Sequence, residues 1–337
     1  MKQSMKKNNQ LKEYKDKKIL ITGGLGFIGS NLAKRLVKLG AHVSILDNLA
    51  PLYGGNYFNV SEIKNKIDIT IGDIRDEKIV TKLIKNKDIV FNFAAQVSHT
   101  DSASIPYEDL DINCKGHLNV LECIRKHNPN TKILFSSSRL ALGKIQQNPI
   151  TETHPTEPLS LYGIHKLTAE KYYALYNRNY GIKTVIFRIT NPYGERQQIK
   201  HNKYSIPGWF MRLAIERKTI QIFGDGKQLR DYIYIDDLVE AFLLAGINNN
   251  TNGKLYNCGF GKSIAFSKMV KNVIKNVGTG KIEYVPWPKN YELEETGHCE
   301  TDISKLKNDT GWIPSINLEK GIKKMCLYYK KNFKKYI

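Results

Sequence analysis

Short apolar runs alternate with longer amphipathic stretches through the first half of the chain. Ile19-Leu20-Ile21 has the length and character of a buried strand. It passes through a glycine-rich turn into Ile28, Leu32, Leu36 and Leu39, spaced as one face of a helix, and Gly40 supplies the stop. The strand pattern returns at His42–Leu46, at Ile67–Ile71, at Ile89–Gln96, which runs into small residues, and at Lys132–Phe135. Tyr107–Lys126 reads as one long helix, with Leu118, Leu121 and Ile124 on apolar stripes, and a second helix opens at Tyr162 and continues to Arg178. Past Arg188, helices at Trp209–Lys218 and Ile264–Val277 alternate with short strands at Leu255–Cys258 and Ile282–Trp287. Strands regularly followed by helices predict an α/β protein. No internal repeat and no flexible linker between the halves is visible.

Composition changes this picture little. The 337 residues allow one large domain or two modest ones. No apolar run approaches the roughly 20 residues a membrane span needs. Met1–Lys17 is polar and lysine-rich without an apolar stretch, so it does not read as a secretory signal; residues 1–16 are expected to be a basic, disordered tail. The five cysteines are scattered, odd in number and without metal spacing, which points to a reduced, cytoplasmic protein with no metal site. The net charge of +20 raises nucleic-acid binding. However, many of the basic residues sit in the two tails and lysine dominates over arginine, so the charge reads as solvated, with no nucleic-acid partner expected. Such a field also steers anionic substrates.

The turn after the first strand carries the chemistry. Gly23 permits a tight turn, Gly26 lets backbone approach a pyrophosphate, and Gly29 lets the helix pack close to the strand. Phe27 and Ile28 open that helix, whose free N–H groups suit phosphate oxygens. Alone this pattern is weak, but a strand precedes it, a helix follows, and the next strand ends in Asp47, near the offset expected for an acid on a ribose. Asn48 follows in a turn-rich loop, Asn48–Asn56. No cation directly follows Asp47 to meet a 2′-phosphate, so the expected cofactor is NAD rather than NADP.

Other candidates lie at strand ends, where an open α/β sheet places its ligands. Asp73 and Ile74 follow the third strand and suit an adenine, or form an ordinary polar loop. Ala94, Ala95 and Gln96 let a cofactor pass close by. Ser136, Ser137 and Ser138 end the fifth strand. Tyr162 and Lys166 are four apart and share a helix face. An ammonium beside a phenol favours phenolate, so this pair suggests a general base.

These motifs, in this order, resemble the extended short-chain dehydrogenase/reductases, in particular the sugar-nucleotide epimerase and dehydratase group. The resemblance runs over roughly residues 17–330. It adds Asn113, Arg188-Ile189-Thr190-Asn191-Pro192-Tyr193-Gly194 and Gly224-Asp225-Gly226-Lys227-Gln228-Leu229-Arg230-Asp231-Tyr232. It implies a modified Rossmann, doubly wound parallel sheet over residues 17–187, completed by elements from the C-terminal half, and a smaller α/β substrate domain over 188–337. It also implies a homodimer through the helices Tyr107–Lys126 and Tyr162–Arg178. By resemblance, Ser138 bonds the sugar hydroxyl, Tyr162 is the base, and Lys166 is its electrostatic partner and holds the nicotinamide ribose. Asn191 contacts the sugar nucleotide, Phe223 lies on the strand that walls the base, and Arg230 reaches the diphosphate.

The departures shape the reading. Ala141-Leu142-Gly143 replaces the family's usual Val-Tyr-Gly, removing an aromatic. Ser138 is followed by Arg139-Leu140, where dehydratases carry Asp-Glu and decarboxylases a glutamate. Where many members have a second diphosphate-binding arginine, this chain has Glu294-Glu295-Thr296-Gly297-His298, so Arg212 or another cation would have to substitute. The resulting expectation is an NAD-dependent epimerase acting at C4 of a UDP-hexose through a transient 4-keto sugar. A CDP-sugar 2-epimerase stays open through Pro207-Gly208-Trp209-Phe210, as does a net 4-reductase or 4-dehydrogenase. A catalytically inactive NAD-sensing or RNA-binding protein is opposed by the intact Ser138, Tyr162 and Lys166. The polar loop Gln197–Pro207 is a candidate lid.

Overall fold

The structure is a computed structural model and describes Lys7 and residues 9–337. Seven strands form one fully parallel sheet: β1 (Lys18–Thr22), β2 (His42–Asp47), β3 (Ile67–Ile71), β4 (Ile89–Asn92), β5 (Lys132–Ser138), β6 (Lys183–Ile189) and, from far down the chain, β10 (Lys254–Cys258). Their order is β10-β6-β5-β4-β1-β2-β3. Ile19, Leu20 and Ile21 of β1 are fully buried, as are Ile133, Leu134 and Phe135 of β5. That is why these strands read as unbroken apolar runs: helices cover both faces of the sheet. The order reverses between β1 and β4, and a crevice opens beyond their C-terminal ends.

The remaining strands form two small sheets. One is β11 (Ser263–Ala265), β9 (Leu229–Tyr234) and β7 (Asn191–Tyr193); the other is β12 (Lys281–Val285) and β8 (Thr219–Phe223). Helices Ile206–Ile215 and Phe266–Val277 pack with them. One continuous apolar core runs from Leu11 to Tyr336, so these elements are anchored to the main sheet rather than tethered to it.

Two expectations change. The tail over residues 1–16 lies partly outside the described residues, at 1–6 and 8. Where it is described, it docks: Leu11 and Tyr14 are buried, and the Tyr14 hydroxyl donates to the Leu243 carbonyl at 2.8 Å. Two apolar side chains three apart suffice to seat this lysine-rich segment on the helix Ile235–Ile247. The expected single helix Tyr107–Lys126 is three pieces: Pro106–Leu110, a π-helical turn Asp111–Gly116, and His117–His127. Such turns cluster at functional sites, and this one carries Asn113.

Candidate active site

At the end of β1 the backbone enters the left-handed region at Gly23, φ +66°. A Cβ there would stand 2.9 Å from the Ala94 nitrogen, and one at Gly29 would collide with the Gly23 carbonyl. Gly26 begins the helix Phe27–Lys38 with extended backbone and no side-chain cap. The turn is therefore a cradle of bare backbone, as a pyrophosphate requires. Beside it lies a small cavity of about 80 Å³ lined by Gly26, Asp47, Asn48, Asp73, Ile74 and Ala94.

Asp47 is buried there, and its carboxylate accepts from the N–H groups of Leu25 and Leu49, both at 2.9 Å. Burial pushes its pKa up, and these bonds partly offset the shift. Burial also acts to raise the pKa of Asp73, but hydrogen bonds from Arg75 and Asn48 outweigh it and hold the carboxyl below its usual range. The residues present fit an adenosine ribose and adenine at this end.

Two sequence candidates are not brought to the cavity wall. Gln96 is fully buried with its amide closed on its own loop, accepting from Ser98 N–H at 2.6 Å and donating to Ser98 O at 2.8 Å. Asn113 is equally buried and donates to Gln96 O at 3.0 Å. Neither lines the nucleotide cavity or the cleft, and the bond between them ties the π-helical turn to the loop after β4. They position the strand end. Thr22, which sequence reasoning missed, has a similar role: its hydroxyl accepts from the N–H groups of Phe93 and Ala94, both at 3.1 Å.

A cleft of about 720 Å³ continues from Gly23 past β5 to the small sheets. Ser138 ends β5, and Tyr162 and Lys166 enter on the helix Leu161–Tyr180, which Ser160 caps by accepting from Gly163 N–H at 3.2 Å. All three line the cleft with Ser136. Tyr162 is 8 % exposed, and burial, with the negative charge of Asp109, raises its pKa above the ordinary 10; a hydrogen bond with Ser138 acts the other way. Lys166 is 2 % exposed, and burial lowers its pKa to about 8. Its ammonium donates to Ser136 O at 3.2 Å and lies 5.7 Å from the centre of the Tyr162 ring. The expected lowering of the phenol's pKa by Lys166 is therefore corrected for this arrangement: desolvation of the phenol wins, and the ammonium, 5.7 Å from the ring centre, bonds a backbone carbonyl rather than the hydroxyl.

The helix is held from behind. Tyr162 N–H donates to Ser102 Oγ at 3.2 Å, and His165 pairs with buried Asp109 at 2.5 Å. Glu170 receives Ser137 at 2.6 Å and the Arg188 guanidinium at 2.7 Å, locking helix, β5 and β6 together.

The far end of the cleft is lined by Asn191, Phe223 and Arg230, as the resemblance places them. Asn191 donates to Asp231 O at 2.8 Å. Phe223 packs against Trp287 at 5.6 Å and Tyr291 at 5.4 Å, an aromatic wall of which the sequence reading named only Phe223. Arg230 is engaged: one Nη donates to both oxygens of Glu295 at 2.6 Å, the other to Leu229 O and Gly297 O. Arg212 does not replace a second clamp, for it pairs with Glu216 at 2.8 Å and donates to Lys200 O outside the cleft lining. Leu142, standing where the family has an aromatic, packs with Ile150 and Cys299 away from the cleft. The loop Gln197–Pro207 lies across the mouth, with Tyr204 donating to Leu52 O at 2.5 Å and Lys203 pairing with Asp101 at 2.9 Å. Among the described residues no cluster of metal-ligating side chains occurs, and no helix is long and apolar enough to cross a membrane.

A nucleotide cradle continuous with a Ser-Tyr-Lys cleft defines an α/β oxidoreductase-type site. The family model described as GDP-mannose 4,6 dehydratase matches residues 20–325. The chain is 35 % identical over 315 residues to a protein of Methanocaldococcus jannaschii assigned as a UDP-glucose 4-epimerase, covering 93 % of this chain and 99 % of that one. It is 30 % identical to the CDP-paratose 2-epimerase of Salmonella typhi, covering 91 % and 98 %. The crystal structure of Thermus thermophilus UDP-glucose 4-epimerase in complex with NAD superposes with a TM-score of 0.83 at 28 % identity, covering 93 % and 99 %. The chain belongs to the extended short-chain dehydrogenase/reductase family of NAD-dependent sugar-nucleotide epimerases and dehydratases, and is an enzyme of that family.

Proposed function

We propose that this enzyme interconverts the C4 epimers of a UDP-hexose. The observation that carries the reading is the convergence of Ser138, Tyr162 and Lys166 on one wall of a cleft that begins at the glycine cradle. NAD is held by Gly23, Gly26 and Gly29 at its pyrophosphate, by Asp47, Asn48, Asp73 and Ile74 at its adenosine end, and by Ser136, Tyr162 and Lys166 at its nicotinamide ribose. When bound it supplies a reversible hydride acceptor. Ser138 and Tyr162 flank the C4 hydroxyl of the sugar, and Tyr162 takes its proton. The ammonium of Lys166 stabilises Tyr162 as the phenolate that takes this proton, and the phenol so formed returns it when the 4-keto sugar is reduced. Arg139 and Leu140 stand where dehydration would need an acid–base pair, so the transient 4-keto sugar does not go on to elimination and is reduced again at C4. Asn191 and the Phe223 wall seat the nucleotide.

The test is to incubate the purified protein with UDP-, GDP- and CDP-sugars and follow new epimers by NMR. A UDP-hexose converted to its C4 epimer supports the reading; conversion of a CDP-sugar at C2 supports the rival. That rival is favoured by the 30 % relative and by Pro207, Trp209 and Phe210, which line the cleft. We also propose a cytoplasmic homodimer. Five free, buried cysteines suit a reducing compartment. Ile164 and Leu175, exposed on one stripe of the helix Leu161–Tyr180, and Tyr107 and Leu110, exposed at the start of the segment Tyr107–Lys126, are apolar side chains that pairing about a two-fold axis would cover.

A further inference from the structure

Arg139 follows Ser138 directly, in a single 3-10 turn, Arg139–Ala141, pinned by the Leu140 N–H donating to Ser138 Oγ at 3.2 Å. The turn brings the Arg139 side chain to the cleft wall beside Ser138, Glu295 and Thr296. Its Nη1 donates to Thr296 Oγ1 at 2.7 Å. Among the described residues no carboxylate oxygen stands within 4.0 Å of its guanidinium nitrogens. A guanidinium has five N–H donors in a fixed fork, and among the described residues one is used and four have no partner.

Arg230, which bonds the same Glu295–Gly297 loop, is the reverse case. Its four Nη hydrogens are taken by Leu229 O, Gly297 O and the two Glu295 oxygens, and its charge is neutralised by that pair. The cleft thus holds one arginine whose Nη groups and charge are taken and one whose fork is still open. Burial disfavours the charge on Arg139, and nearby Arg230 adds to the effect. An anion beside both would relieve each.

We propose that Arg139, with Thr296 and the remaining Nε–H of Arg230, forms an oxyanion site that takes a charged group of the substrate, either its diphosphate or a carboxylate carried by the sugar. This rests on the sugar-nucleotide reading above. The anchoring charge moves from Arg230 to Arg139, while Glu295 holds Arg230 in place. The planar fork matches either oxyanion bidentately, which lysine would not.

The test is isothermal titration of the full chain with inorganic pyrophosphate, UDP-glucose and UDP-glucuronate, using wild type, Arg139→Ala, Arg139→Gln, and Arg139→Ala combined with Glu295→Gln. Loss of a charge-assisted pair should weaken binding about 10- to 100-fold. If the diphosphate is the ligand, all three probes weaken in Arg139→Ala. If a sugar carboxylate is the ligand, UDP-glucuronate alone weakens. Adding Glu295→Gln should restore part of the loss, because it frees Nη2 of Arg230; a merely structural role for Arg139 gives no such rescue. Dissociation constants within twofold of wild type for all three probes in both single variants overturn the proposal, as does absence of binding to wild type. Arg139-dependent pyrophosphate binding without any epimer in the NMR panel keeps the anion site and sinks the catalytic reading. Epimer formation with binding indifferent to position 139 does the opposite.

Discussion

Lys166 lies one helical turn beyond Tyr162, yet its ammonium donates to the Ser136 carbonyl at 3.2 Å and stands 5.7 Å from the centre of the Tyr162 ring. Both groups are buried, and burial moves them in opposite directions: the phenol's pKa rises, and that of the ammonium falls to about 8. Each is thereby favoured in its neutral form. A neutral phenol thus stands beside an ammonium that loses its proton near pH 8.

The pH dependence follows. Below about pH 8 Lys166 is charged; above it the charge, and with it the stabilisation of a Tyr162 phenolate, is lost. The expected rate profile of the free enzyme, read as kcat/KM, falls on its alkaline side near pH 8. In Lys166→Met that limb should vanish and the residual optimum move upward. In parallel, an ultraviolet titration of wild type against Tyr162→Phe should show no phenolate from Tyr162 below pH 10. A Tyr162 phenolate at neutral pH in the ligand-free protein would show that Lys166, not burial, controls the phenol.

Tyr162→Phe should lower kcat by about 10²- to 10⁴-fold, the usual contribution of a positioned general base. KM for the sugar nucleotide should stay within about twofold, because the ring and its packing remain. Steady-state kinetics on the substrate found by NMR decide this. A near-normal kcat would remove Tyr162 from the proton path and leave Ser138 without its partner.

The sheet and the glycine cradle were legible because their causes are local. Ile19–Ile21 is apolar as buried parallel strands must be, and Gly23 and Gly29 answer to backbone crowding that no other residue tolerates. Ser138, Tyr162 and Lys166 were legible through motif order. What escaped was long-range. The Arg230–Glu295 pair joins positions 65 apart, and nothing in either stretch says that the expected clamp is neutralised. Asn113 sits on a π-helical turn that apolar periodicity does not mark, and the Gln96 amide closes on Ser98 of its own loop. Trp287 and Tyr291 reach Phe223 only because β12 pairs with β8.

The strap over the cleft gives another expectation. Tyr204 donates to Leu52 O at 2.5 Å, tying the loop Gln197–Pro207 to the turn that follows Asp47. Tyr204→Phe keeps the ring and removes that bond, whose net worth is about 0.5–1.5 kcal/mol. Cofactor release should become roughly 2- to 10-fold faster, measured by displacement of bound NADH fluorescence. An unchanged off-rate would mean that the loop does not gate the dinucleotide.

The last expectation concerns the frame of the site. Glu170 and Arg188 are 3 % and 5 % exposed and share three hydrogen bonds of 2.7–3.1 Å, with Ser137 adding a fourth to Glu170 at 2.6 Å. Arg188→Met leaves the carboxylate buried beside a single hydroxyl, and breaking such a pair from one side costs about 3–5 kcal/mol. The cost comes from the stranded charge, so Glu170→Gln with Arg188→Met should recover much of it. Urea unfolding monitored by tryptophan fluorescence measures both variants. Because Glu170 sits one turn beyond Lys166 and bonds the residue before Ser138, Arg188→Met should also lower kcat more than it raises KM. A destabilised variant with unaltered kcat would show that the pair supports the fold alone and does not set the geometry of Ser138 and Tyr162.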